Sequence, residues 1–66
     1  MRYEIRVAGT MSEAMLEEGF PELESFVIAD QTVLAGRIVD EAHLYGLLTR
    51  FQHLGLRITE LRQLPD

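Results

Sequence analysis

Thr32 to Leu64 (TVLAGRIVDEAHLYGLLTRFQHLGLRITELRQL) reads as strand, helix, strand, and this unit decides the fold. Its helix is expected over Glu41–Leu54. Asp40 opens it: an aspartate carboxylate accepts the free N–H groups of a first turn and sits well at the positive end of the helix dipole. Gly55 closes it, because glycine takes the left-handed conformation of a helix exit at little cost. Between these ends Leu44, Leu47, Leu48, Phe51 and Leu54 recur at three- and four-residue spacing and form one stripe that must face a core. The opposite face carries Ala42, Gly46, Thr49 and His53. A glycine in a helix interior costs up to ~1 kcal/mol relative to alanine. Gly46 therefore marks either a tolerated solvent position or the close approach of another helix, and this face is a candidate interface.

The first half of the chain supplies the rest of a sheet. Arg2–Gly9 alternates cleanly, with Tyr3, Ile5 and Val7 on one side and Arg2, Glu4 and Arg6 on the other. Thr10–Gly19 reads as a short helix, with Thr10 and Glu13 in the spacing of a capping box and Met11, Ala14 and Met15 as its apolar side. Phe20-Pro21 then forces an extended turn. Leu23–Ala29 and Thr32–Val39 are expected strands joined by a tight turn at Asp30-Gln31. They do not alternate: Phe26-Val27-Ile28 and Val33-Leu34-Ala35 are unbroken apolar runs, as in a sheet covered on both faces. Gly36 inside a strand suggests a bulge or a close backbone contact. The last strand, Leu56–Leu64, needs a bulge between Ile58 and Leu61 to stay in phase. The order β-α-β-β-α-β predicts an α+β, ferredoxin-like single domain over residues 1–66. Its sheet is four-stranded and antiparallel in spatial order 4-1-3-2, with both helices on one face and the first of them short.

Composition narrows the function. The chain has 66 residues, 47% of them hydrophobic, no cysteine, six arginines, no lysine and a net charge of −5. A domain this small buries only ~60% of its unfolded surface. Without cysteine it has neither a disulfide nor a thiolate metal cluster to add stability. Self-association remains, and the two-sided strands call for it. A homodimer or higher homo-oligomer is expected, with Val27 and Val33 joining Ala42, Gly46, Thr49 and His53 as candidate contacts. The acidic balance disfavours nucleic acid, whose phosphates demand a basic face, and also anionic membranes. No run approaches transmembrane length and no leader pattern is present, so a cytoplasmic protein is expected.

No catalytic or metal motif emerges, and no cofactor is expected. His43 and His53 lie on one helix ~15 Å apart, too far to share a metal within a subunit. His43 stands three residues from Asp40, a candidate acid–base pair or a favourable helix-margin contact. Tyr3 and Tyr45 are, with His43, the candidate pocket residues. The carboxylates from Glu13 to Glu24 read as a solvated acidic face.

The residues Thr32-Val33-Leu34, Gly36, Val39-Asp40, Ala42, Leu44 to Leu48, Arg50 and Leu54-Gly55-Leu56 resemble a group of small bacterial proteins. These share the pattern TVLxGxVVDxAxLxGLLxRxxxLGL, and their first strand is similar to Tyr3–Val7. The chain departs from the group at Arg37-Ile38, where Pro-Val is usual. The group is uncharacterised and implies no catalytic residue. The leading expectation is a homo-oligomeric, non-enzymatic module that binds another protein or a small ligand. The rival is a small enzyme of the dimeric α+β barrel type with His43 and Tyr3 in a pocket. An acidic mimic of nucleic acid ranks last at this modest charge.

Overall fold

The computed structural model describes residues 1–66. Six elements follow in the expected order: β1 (Arg2–Ala8), α1 (Glu13–Gly19), β2 (Glu24–Ile28), β3 (Gln31–Arg37), α2 (Glu41–His53) and β4 (Ile58–Leu64). The strands form one antiparallel sheet in the order β2-β3-β1-β4. This is the ferredoxin-like arrangement that the element order requires. No helix is long and apolar enough to cross a membrane.

The two central strands set the layers. Ile5 and Val7 of β1 and Leu34 of β3 point to the helix side, where they meet Leu44, Leu47 and Phe51 of α2 in the main core. Phe20 completes that core by stacking on Phe51, with ring centroids 4.3 Å apart. Asp40 caps α2 through Oδ1, which accepts the His43 N–H at 2.9 Å. At the other end Gly55 has φ +72°, the Leu56 N–H reaches Phe51 O and the Gly55 N–H reaches Gln52 O. These two bonds are the paired closure of a glycine-terminated helix. Leu54, expected on the buried stripe, sits at the cap and is exposed, because the helix has stopped before it turns inward.

The bulge in β4 falls where phase requires it. Arg6 pairs with Glu60 and Val7 with Ile58, so Thr59 is the extra residue and Leu61 returns to the side of Ile5.

Two local expectations are corrected, and a third, at Gly36, is narrowed. The short helix α1 begins at Glu13, capped by Ser12, whose Oγ accepts the Met15 N–H at 3.2 Å. Thr10 is not the cap. The cause is long-range: the Met11 N–H is drawn to Thr32 Oγ1 at 3.0 Å, which holds the chain out of helix until Ser12. Met11 is therefore buried ahead of the helix, and Ala14 is exposed. The β2–β3 hairpin turns at Ala29-Asp30, not Asp30-Gln31, because Ile28 pairs directly with Gln31. Ala29 takes φ +53°, the positive angle that a tight hairpin asks of its first turn residue. Gly36 is a close-contact glycine: an added Cβ would stand 2.8 Å from Leu23 Cδ2 and 3.3 Å from Glu22 O.

Thr32 is the one fully buried polar residue. Its hydroxyl donates to Gly9 O at 2.9 Å while accepting from Met11, so it ties the exit of β1 to β3. Thr32→Val keeps the shape but strands the buried Met11 N–H and takes the donor from the part-buried Gly9 carbonyl. It is expected to cost about 1–3 kcal/mol in urea unfolding. Gly36→Ala should cost about 1 kcal/mol, because Leu23 Cδ2 can swing aside but the Glu22 carbonyl, 3.3 Å from the added Cβ, must give way. Gly46→Ala should instead stabilise the fold by up to ~1 kcal/mol, since nothing lies within 4 Å of its added Cβ. A loss of stability at position 46 would mean that another backbone does approach that helix face.

Candidate functional site

Three features stand out from the scaffold: a charged cluster on α2, a shallow depression at the helix ends, and the open side of the sheet.

The cluster joins residues far apart in sequence. His43 Nδ1 accepts the Val39 N–H at 3.1 Å, so the ring proton belongs on Nε2, which faces Glu22 Oε2 at 3.4 Å. Glu22 Oε1 accepts from Arg50 Nη1 at 3.2 Å, and Nη1 also donates to Gly19 O at 2.8 Å. Positions 43 and 50 lie seven residues apart on one side of α2, so Glu22 clamps the α1–β2 connection across two turns of that helix. Burial pushes the Glu22 carboxyl up. The bonds from its own backbone N–H, from Arg50 and from His43, with the Arg50 charge, outweigh burial and hold it below the ordinary value of 4.5.

This geometry speaks for a clamp. In the tautomer that satisfies both bonds, the His43 ring has no lone pair free to take a proton from a substrate. Asp40, the expected carboxylate orienter, bonds the His43 backbone and not its ring. His53 is exposed at the far end of α2.

The depression, of about 400 Å³, is lined by Met15, Glu18, Gly19 and Leu54. His43, Tyr3 and Tyr45 do not line it. Tyr3 rests half-buried against the core on β1, and Tyr45 stands exposed on α2. The three candidate pocket residues are thus not brought together. No group of three or more His, Asp and Glu side chains converges in a metal-holding arrangement.

The open side of the sheet divides in two. Over β1 and β4 it is a lattice of alternating charge: Arg6 Nε bonds Glu4 Oε2 at 3.1 Å and Glu60 Oε1 at 3.3 Å, and Arg62 Nη2 reaches Glu4 Oε2 at 3.3 Å. The Arg6–Glu60 and Arg62–Glu4 pairs are the cross-strand charge pairing that the alternation of β1 implies, and Arg6–Glu4 runs along β1 itself. Over β2 and β3 the middle of the face is apolar, with Glu24 and Gln31 at its margins. Phe26 pairs with Val33 and Ile28 with Gln31, and Ala35 follows Val33 by two residues. Val33, a candidate contact, is covered within its own subunit at 0% exposure, between its cross-strand neighbours Arg6 and Phe26. What any partner meets is Phe26 at 51% and Ile28 at 47%, with Val27 at 48% on the helix side. Ala42, Gly46 and Thr49, together with His53, are exposed on α2, and Thr49 turns its hydroxyl back to Tyr45 O at 2.9 Å.

The chain belongs to a family described as a domain of unknown function (DUF8691), whose model matches residues 2–62. No curated protein and no solved structure matches the chain. The family match covers the sheet and both helices, so it follows the whole fold and not one motif.

A carboxyl whose folded pKa is lowered contributes stability above its unfolded value, and that contribution is lost as pH falls through the folded one. Glu22→Gln removes it. On acidification from about pH 6 to about pH 3, the Tm of the wild-type chain should therefore fall more steeply than that of the variant. Parallel acid limbs would mean that the clamp is not made in solution.

Proposed function

We propose that the protein is a small, homo-oligomeric, non-enzymatic module that acts by binding another protein or a small ligand, with a second copy seated on the open face of its sheet. One observation carries the reading. Phe26 and Ile28 stand half exposed on the same face as Ala35, and neither helix reaches that face. Apolar surface of this kind on a small domain is a contact waiting for a partner. The charged part of the face over β1 and β4 admits a copy of itself: the Glu4, Arg6, Glu60 and Arg62 lattice is neutral as a group, so two such lattices do not repel. Two sheets stacked this way sit ~10 Å apart and interdigitate their side chains.

The magnitude is modest. Fully burying a Phe or Ile is worth ~1.5–3 kcal/mol, and these side chains start half buried. Association itself costs roughly 4 kcal/mol or more. The gain and the cost nearly cancel, so the assembly is weak and is sought at high protein concentration, about 0.1–1 mM. The same reading takes the protein as a cytoplasmic bacterial one, on its resemblance to small bacterial proteins. The alternative of a dimeric α+β barrel enzyme, with His43 and Tyr3 in a pocket, gains no support from the geometry, because His43 is spent on the Glu22 clamp.

Sedimentation equilibrium across that concentration range tests the assembly. The wild-type chain should move from monomer to oligomer, and Phe26→Lys should remain monomeric with an unchanged far-UV spectrum. A wild-type chain that stays monomeric throughout, or a variant that associates equally well, would overturn the proposal.

A further inference from the structure

The edge of the sheet offers something that its face does not. β2 is an outer strand, bonded to β3 alone. The two-residue turn makes Ile28 and Gln31 the hydrogen-bonded pair that closes the hairpin, and bonding alternates up the ladder from there. Ile28, Phe26 and Glu24 direct their N–H and C=O groups at β3. Ser25 and Val27 direct theirs outward, where no strand receives them. Exposed edges are usually blunted by charge, proline or a bulge. The other edge, β4, is blunted: it carries Glu60, Arg62 and the Thr59 bulge. The Phe26-Val27-Ile28 stretch of β2 carries no such guard.

Charge says what fits there. From Val7 to Gly36 the chain holds six carboxylates and no arginine or lysine. Of those six only Glu22 has cationic partners, Arg50 and His43. Glu24 at one end of the edge and Asp30 just past the other form no ion pair. A second copy of β2 is a poor match for this edge. Antiparallel pairing about Val27 would set Phe26 against Ile28, but it would bring Glu24 of each copy to the Asp30 end of the other.

We propose that the β2 edge receives an extended segment of a different protein, added as a fifth antiparallel strand, with apolar side chains in its middle and Arg or Lys at both ends. Glu24, Phe26 and Ile28 share the open face, and side chains repeat every second residue along a strand. The matching segment therefore reads cation-x-apolar-x-apolar-x-cation. Its backbone bonds Ser25 and Val27, its apolar pair covers Phe26 and Ile28, and its cations meet Glu24 and Asp30. Main-chain bonds supply the attachment and the alternate side chains supply the selection, as in other strand additions. The inference goes beyond self-association on the sheet face, because it needs only the edge backbone and its flanking acids.

The test uses the full chain and a synthetic peptide, acetyl-Arg-Thr-Ile-Thr-Val-Thr-Arg-amide, beside a counterpart with Glu at both ends. Amide exchange is followed residue by residue. The basic peptide should slow exchange at Ser25 and Val27, bind about tenfold more tightly than the acidic one, and lose that advantage as salt is raised. Val27→Pro removes the outward N–H at a position where a free edge tolerates proline, and should abolish binding. Glu24→Lys combined with Asp30→Lys leaves the backbone intact and should reverse the preference toward the acidic peptide. Equal binding of the two peptides, or no protection at Ser25 and Val27 with either, would overturn the inference. Protection that rises with protein concentration alone would assign the edge to a second copy and overturn it as well. Failure of the sheet-face assembly would appear separately, as a monomeric mass that still binds the peptide.

Discussion

Two helices can cover only one face of a four-stranded sheet, and this chain has just two. The covered side is well built. Ile5, Val7 and Leu34 meet Leu44, Leu47 and Phe51 there, and the Phe20–Phe51 stack seals one end. α1 adds little directly, for it buries no residue completely, and it is anchored by Met11 before it and Phe20 after it. Everything else about the molecule follows from what happens on the uncovered side. Over β1 and β4 that side is paved with paired charges. Over β3 it is apolar, but Val33 is covered by its own neighbours. Over β2 nothing covers it.

Charge is distributed in a way that sharpens this contrast. The arginines sit on β1, β4, α2, the end of β3 and the α2–β4 connection, while the acidic residues between Glu13 and Asp30 have none nearby in sequence. Arg50 is the arginine that crosses over. It bonds Gly19 O and Glu22 and lies 6.0 Å from the Phe20 ring centroid, so one side chain fastens the acidic half to α2. With His43 it satisfies Glu22, which makes Glu22 part of the scaffold. Glu24 and Asp30 remain unpaired beside an apolar edge. Glu22 thus serves the scaffold, and the recognition proposed for the β2 edge would draw on Glu24 and Asp30, other members of the same acidic stretch.

Much of this was legible in the chain. The alternation of Arg2–Ala8, the stripe on α2, its caps at Asp40 and Gly55 and the phase slip before Leu61 are local patterns, and each fixed an element. What could not be read depends on contacts across the sequence. Thr10 has the spacing of a cap, but a hydroxyl 21 residues from Met11 moves the helix start to Ser12. The hairpin turn shifted because Ala29 adopts an angle more usual for glycine. The Glu22, His43 and Arg50 cluster spans separations of 21 and 28 residues and leaves no spacing signature. The run Val33-Leu34-Ala35 showed that both faces are apolar, but not that Val33 would be covered from within. That distinction moved the candidate surface from Val33 to Phe26 and Ile28.

The central claim is that the apolar part of the open face meets a second copy in solution. Isotope-filtered nuclear Overhauser spectra of a mixed sample, half carbon-13-labelled and half unlabelled, read this contact directly at about 1 mM, a concentration that favours a weak assembly. Stacked faces should give intermolecular signals from the Phe26 ring to the methyl groups of Ile28 and Ala35. Intermolecular signals arising only from Ala42, Thr49 or His53 on α2, or none at all, would contradict it.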